Sequence, residues 1–134
     1  MNASYELRNG YLYVKVSGEF ALAEVRGILS ELLETARRHA MTRVLCDVTR
    51  VTGVDDELEL TMTRFDVATL IAEALPKDIK FAVLETPRQI SKDRFGENVM
   101  VNKGASAKEA STLDEALEWL GLTSANKSHA SDAR

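Results

Sequence analysis

The sequence is poor in the residues that most often carry chemistry, with one cysteine, two histidines and two prolines in 134 residues. The single cysteine, Cys46, cannot form a disulfide within the chain, which is typical of proteins in a reducing compartment. The sequence also lacks the GxSxG, HExxH and CxxC motifs of hydrolases, zinc proteases and redox or metal sites. No apolar run is long enough to span a membrane, and no secretory signal opens the chain. We therefore expect a cytoplasmic protein that is not an enzyme and has no stable membrane insertion.

The charge and composition of the chain limit the kinds of partner that it is expected to bind. The formal net charge is -4 and the pI is about 5.2, so the chain has no basic field to attract nucleic acid. Its 45% hydrophobic and 28% charged residues are ordinary for a globular protein. The sequence predicts one domain over residues 1–122, followed by a disordered tail at 123–134 that has no large apolar residue.

The order of predicted elements indicates an α/β domain. Alternating apolar residues flank Asn9 and Gly10, a dipeptide that favours the tight turn of a β-hairpin. Apolar spacing of three and four predicts helices at 22–39 and 57–75, and short apolar runs predict strands at 42–51 and 81–84. A helix at 91–102, an edge strand at 107–111 and a helix opened by the capping box Thr112–Glu115 complete the chain. The predicted fold is a mixed, mostly parallel sheet of four to five strands with an N-terminal β-hairpin and about four helices.

The segment from Arg43 to Leu60 is predicted to connect a strand to a helix. A buried strand is followed there by Gly53, by three acids and then by a long helix. α/β domains commonly bind ligands at such junctions. A phosphate loop is excluded, since it needs several glycines and the acids would repel phosphate. The acids could hold a divalent cation or could cap the helix. No dedicated metal-binding pattern accompanies them, so we predict no metal site and no cofactor.

The helix at 57–75 has an unusually narrow polar stripe, formed by Glu59, Asp66 and Glu73. Apolar residues occupy both sides of that stripe, which is wider coverage than a one-sided surface helix needs. Two interpretations remain open. The helix is buried between the sheet and a neighbouring helix, or it offers a surface to a second subunit, a partner protein or an apolar ligand.

Several strings of the sequence resemble the STAS family, the anti-sigma-factor antagonist type of domain, and in particular its divergent SpoIIAA-like branch. These are the opening hairpin with Gly18 after its second strand, the string CDVTRVTGVDD, and the closing pattern RFGENVMVNKGASAKEASTLDEALEWLGL. The resemblance spans residues 5–122. It implies a regulatory or protein-interaction domain that acts without catalysis, with a protein partner or a homodimer.

The resemblance also implies that the usual phosphorylation switch is missing. In regulatory members a strand Asp is followed by an Asp-Ser-Ser-Gly string whose second Ser is phosphorylated. Matched without gaps, Asp47 and Asp55 correspond to the two Asp residues, Asp56 and Glu57 replace the serines, and Leu58 replaces the Gly. A permanent negative charge there imitates the modified form. The predicted partner-binding residues are Asp55, Asp56, Glu57 and Thr61.

A second hypothesis comes from divergent members of the branch that resemble lipid-binding CRAL-TRIO-type folds, with an apolar pocket beneath a movable helix. On this hypothesis the helix at 57–75 covers an apolar small molecule or lipid, with membrane association as one context. The predicted apolar ligand or interface residues are Leu58, Met62, Phe65 and Ile71.

Overall fold

The computed structural model describes residues 1–53, 57–90 and 94–123, with the side chains of 57–61 outside that description. It confirms the predicted α/β class and element order. The elements are β1 Asn2–Arg8, β2 Tyr11–Glu19, α1 Leu22–Arg38, β3 Arg43–Thr52, α2 Glu57–Ala74, β4 Lys80–Leu84, α3 Phe95–Asn102, β5 Ala107–Ala110 and α4 Leu113–Trp119. All of the predicted tail except Thr123 lies outside the described residues.

The sheet has its five strands in chain order, β1-β2-β3-β4-β5. β1 and β2 form the antiparallel hairpin, turned at Gly10 with a φ of 91°. β2, β3, β4 and β5 pair in parallel, and helices make the crossovers between them. β3 is therefore the central strand, and α2 follows it in the sequence.

The two faces of the sheet carry separate hydrophobic clusters because side chains alternate along each strand. Val44 and Cys46 point to the face covered by α1 and α2, whereas Leu45 points to the face covered by α4. We call these the α1/α2 face and the α4 face. Cys46 is a buried free thiol, as the apolar run around it predicted.

β3 contains an irregularity near its C-terminal end. Lys15 of β2 pairs with Asp47, but Ser17 pairs with Arg50, so β3 has one residue more than its neighbour over this stretch. As a result Val48 and Val51 both pack against the cluster on the α1/α2 face, although they are three residues apart.

α4 begins and ends as its sequence predicted. The Thr112 hydroxyl accepts a hydrogen bond from Glu115 N at 3.1 Å, while a Glu115 carboxylate oxygen accepts from Ser111 N at 2.9 Å, one residue before the position that a standard capping box uses. Gly121, with a φ of 82°, closes the helix through the bond from Leu122 N to Leu117 O at 2.8 Å.

α1 ends in the same hydrogen-bond pattern without a glycine. Met41 N donates to Ala36 O at 2.8 Å and Ala40 N donates to Arg37 O at 3.1 Å. Ala40 therefore holds the left-handed position, with a φ of 53°. A side chain with a Cβ is disfavoured there by about 1–2 kcal/mol.

Among the residues that the structure describes, no helix has the length and apolarity needed to cross a membrane.

We expect Ala40→Gly to raise the free energy of unfolding by about 0.5–1 kcal/mol, because glycine relieves the left-handed strain at some cost in chain entropy. Urea denaturation measures this change. Ala23→Gly, at an exposed position in the first turn of α1, is the control and should lower stability by less than about 1 kcal/mol, because glycine costs chain entropy and relieves no strain there. Equal destabilisation by both substitutions would show that Ala40 is not strained.

Candidate functional site

A cavity of about 490 Å³ lies between the α1/α2 face of the sheet and α2. This volume is within the range of small-molecule sites. Its inner wall is apolar and draws on α1, α2, α3 and the central strands. The apolar lining includes Val16, Val25, Ile28, Leu29, Leu32, Cys46, Val67, Ala68, Ile71, Phe81, Val83 and Met100.

One end of the cavity is polar, and we call it the mouth. It is lined by Thr49, Thr52, Arg64, Thr86, Arg88 and Gln89. These residues come from the C-terminal end of β3, the segment after β4, and α2. Parallel sheets bind ligands at this edge because the loops that follow the strands converge there.

Gln89 links β3 to the segment after β4 through the nitrogen and the oxygen of its side-chain amide. Its amide nitrogen donates to Val48 O at 2.7 Å and to Val51 O at 3.2 Å, and its amide oxygen accepts from Thr86 N at 2.8 Å. The bond to Val48 O satisfies a main-chain acceptor at the irregular part of β3, where the ladder is interrupted. The main-chain carbonyl of Gln89 in turn accepts a hydrogen bond from the Arg64 guanidinium, which links α2 to the same loop.

Two carboxyl groups, Glu85 and Glu109, also line the cavity. Burial, the negative charge of Glu109 and a hydrogen bond with Glu109 raise the pKa of Glu85 to about 9, so Glu85 is neutral at pH 7. The positive charges of Arg64 and Arg94 oppose this rise. Oε1 of Glu85 is buried and makes no hydrogen bond.

Glu109 keeps fixed polar partners on β5 and α3. It is only 4% exposed, and its carboxylate accepts from Glu97 N at 3.2 Å. Its main-chain N–H donates to the Glu97 carboxylate at 2.9 Å, while its main-chain carbonyl accepts from the Arg94 guanidinium. These bonds hold Glu109 in place beside Glu85.

Asp47, the residue that the resemblance matched to the strand Asp of the family, lies on the α4 face and is not among the residues that line the cavity. Its carboxylate accepts hydrogen bonds from Thr49 Oγ1 at 2.6 Å, from Thr49 N at 2.9 Å and from the Tyr13 hydroxyl. Burial alone would raise the pKa of Asp47, but these hydrogen bonds outweigh it and hold that pKa below its usual range. Asp47 therefore stabilises the end of β3 as a carboxylate.

Cys46 is the cavity residue with the most reactive type of side chain, yet it is chemically quiet. Burial, with smaller contributions from the charges of Asp47 and Glu85, raises the pKa of the Cys46 thiol to about 12. The neutral thiol is a poor nucleophile. Among the described residues, no group of His, Cys, Asp or Glu is arranged to hold a metal ion.

The residues predicted from the sequence fall into three groups. Asp55 and Asp56 lie outside the described residues, and the same is true of the side chains of Glu57, Leu58 and Thr61. Met62 and Phe65 are exposed, at 63% and 46%, whereas Ile71 is 7% exposed and lines the cavity. The structure therefore places Ile71 in the interior and Met62 and Phe65 on the outer surface of α2.

Glu85, Glu109, Arg64 and Gln89 were not predicted as site residues. The alternation of the strands contained a signal for the two acids, because Phe81 and Val83 point inward and Glu85 follows in phase. Ala107 and Glu109 share a face of β5 in the same way. No comparable signal predicted Arg64 and Gln89, because their contact depends on how α2 and the segment after β4 meet.

No protein-family model and no curated protein matches the sequence. The structure is similar to the crystal structure of an anti-sigma factor antagonist from Mycobacterium paratuberculosis, with a TM-score of 0.58 and 18% sequence identity. The similarity covers 90% of this chain and 93% of the other. It confirms the STAS fold that the sequence resemblance predicted.

Glu85 should make the protein less stable as pH rises. The folded state keeps the Glu85 proton up to about pH 9, whereas the unfolded chain releases it near the ordinary value of 4.5, so the unfolded state binds fewer protons between these values. We expect Glu85→Gln, which stays neutral, to gain roughly 1.4 kcal/mol in free energy of unfolding relative to wild type for each pH unit in this range. Urea denaturation at pH values from 5 to 8 measures the difference. Glu118→Gln, on the exposed side of α4, is the control, and parallel curves for Glu85→Gln and wild type would contradict the expectation.

Proposed function

We propose that this chain is a regulatory binding domain of STAS type that acts without catalysis and engages a protein partner, or a second copy of itself, through the N-terminal half of α2. The observation that carries the proposal is the exposure of Met62 and Phe65, at 63% and 46%. Large apolar side chains at this exposure on one helix are typical of protein-interaction surfaces.

The chemistry of the junction supports the same proposal. The acids Asp55, Asp56 and Glu57 lie shortly before Met62 in the sequence. Acidic residues close in sequence to exposed apolar side chains fit a partner surface with basic residues around an apolar centre. Because serines are absent from positions 56 and 57, the negative charge is permanent, and binding there does not depend on phosphorylation.

We expect the double variant Met62→Ser and Phe65→Ser to lose self-association or partner capture while its stability changes by no more than about 0.5–1 kcal/mol, since both side chains are exposed. Light scattering over a dilution series measures self-association, and a pull-down from native lysate compares capture. Val101→Ser, which removes an apolar side chain that is 50% exposed on α3, is the matched control.

The acids are tested separately by Asp56→Lys and Glu57→Lys in the same assays. Specific loss with these variants and with the α2 double variant, but not with Val101→Ser, supports the proposal. A protein that is monomeric at all concentrations and captures the same proteins in every variant would contradict it.

A second candidate function is favoured by the cavity: a carrier or sensor that holds an apolar small molecule between α2 and the sheet. The observation that supports it is a cavity of about 490 Å³ in a 134-residue chain, open at a polar mouth and lined mostly by apolar side chains. Small-molecule sites typically combine an apolar wall of this size with a few polar groups.

We expect native mass spectrometry of gently purified protein to show a bound mass of lipid-like size. Ala68→Leu places a larger side chain in the cavity wall, so it should reduce the bound fraction and leave stability unchanged or higher. Ala116→Leu is the control, because Ala116 is fully buried in the cluster beneath α4, and overpacking there should cost about 1–3 kcal/mol. An absent bound mass, together with no thermal shift across a panel of fatty acids and lipids, would contradict this candidate.

A further inference from the structure

The described residues at the mouth of the cavity carry positive charge, although the protein as a whole is acidic. The chain as a whole has a formal net charge of -4, yet among the residues that the structure describes, those we assign to the mouth include two arginines, Arg64 and Arg88. The two described acids that line the cavity cancel this charge only in part. The negative charge of Glu109 offsets one arginine, whereas Glu85 is neutral at pH 7 because burial and Glu109 raise its pKa.

Arg64 is positioned over the mouth by a neutral partner. Its guanidinium donates to the main-chain carbonyl of Gln89, and Gln89 is itself fixed by hydrogen bonds to Val48 O and Val51 O. A guanidinium has five N–H donors, and a bond to a carbonyl does not neutralise its charge. Arg64 is therefore both held in place and able to bind a negatively charged group.

The hydroxyl groups of the mouth add hydrogen-bond donors of suitable chemistry. Thr49, Thr52 and Thr86 line it together with Arg64. Hydroxyls and a guanidinium suit a carboxylate, which accepts several hydrogen bonds and pairs with arginine in a planar geometry. Behind this polar end the wall is formed by aliphatic and aromatic side chains, which suit a hydrocarbon tail.

We propose that the cavity binds a single-chain aliphatic acid as its carboxylate, with the tail in the apolar interior and the head group on Arg64 at the mouth. This inference rests on the second candidate function and adds the class of ligand and its anchor. An aliphatic alcohol would fill the same interior but gain nothing from the charge of Arg64. A cationic amphiphile would be repelled there.

The test uses the full chain, from which bound lipid has first been removed. The three probes share the same tail and are dodecanoate, dodecanol and dodecyltrimethylammonium. Each probe is kept below its micelle concentration. Isothermal titration calorimetry at pH 7 measures the affinities. We expect dodecanoate to bind at least about tenfold more tightly than dodecanol, the size of effect that a charge-assisted hydrogen bond provides. The cationic probe should bind most weakly.

Arg64→Met keeps much of the aliphatic stem and removes the charge. It should weaken dodecanoate binding about tenfold while leaving dodecanol binding unchanged. The retained dodecanol affinity also shows that the variant is folded. Arg64→Lys should keep part of the preference for dodecanoate, since it restores the charge without the planar fork. Arg37→Met, at an exposed position of α1, is the matched control and should leave all affinities unchanged.

The outcomes separate the two proposals. If dodecanol binds as tightly as dodecanoate, or if Arg64→Met weakens both equally, the carboxylate anchor is wrong while the cavity remains a binding site. Tighter binding of the cationic probe overturns the anchor in the same way. If none of the three probes binds, both the anchor and the small-molecule function are wrong.

Discussion

The structure depends on one requirement, which is that a parallel sheet must be covered on both faces. β3 and β4 are paired on both sides, so both faces of these strands need an apolar layer. On the α4 face a short helix with Ala116 and Leu117 meets the requirement by close packing, and those side chains are almost fully buried. On the α1/α2 face two longer helices meet it incompletely. The cavity is the volume that the second layer leaves between itself and the sheet.

The sequence predicted the fold well because most of its signals are local. The Asn9-Gly10 turn, the apolar spacing of α1 and the Thr112 cap each depend on residues close in the chain, and the structure agrees with all three. The Ala40 turn was not predicted, since alanine is not a usual residue for a left-handed position. The structure shows it because the hydrogen bonds that end α1 require that conformation whichever residue is present.

The site was less predictable because it is assembled from distant segments. Arg64 and Gln89 are 25 residues apart, and Gln89 contacts β3 across a separation of 41 residues. No local pattern encodes such contacts. The apolar width of α2 did indicate a special role, but the sequence could not divide its side chains between the outer surface and the cavity. That division depends on the rotation of α2 about its axis, and it places Met62 and Phe65 outside and Ile71 inside.

The extra residue in β3 also changes the wall of the cavity. In a regular strand, side chains three residues apart point to opposite faces of the sheet. Because β3 has one additional residue between Asp47 and Arg50, Val48 and Val51 instead lie on the same face, and both line the cavity. Their main-chain carbonyls both accept hydrogen bonds from the Gln89 side chain. One local departure from strand alternation thus supplies an apolar wall residue and an attachment point for the loop after β4.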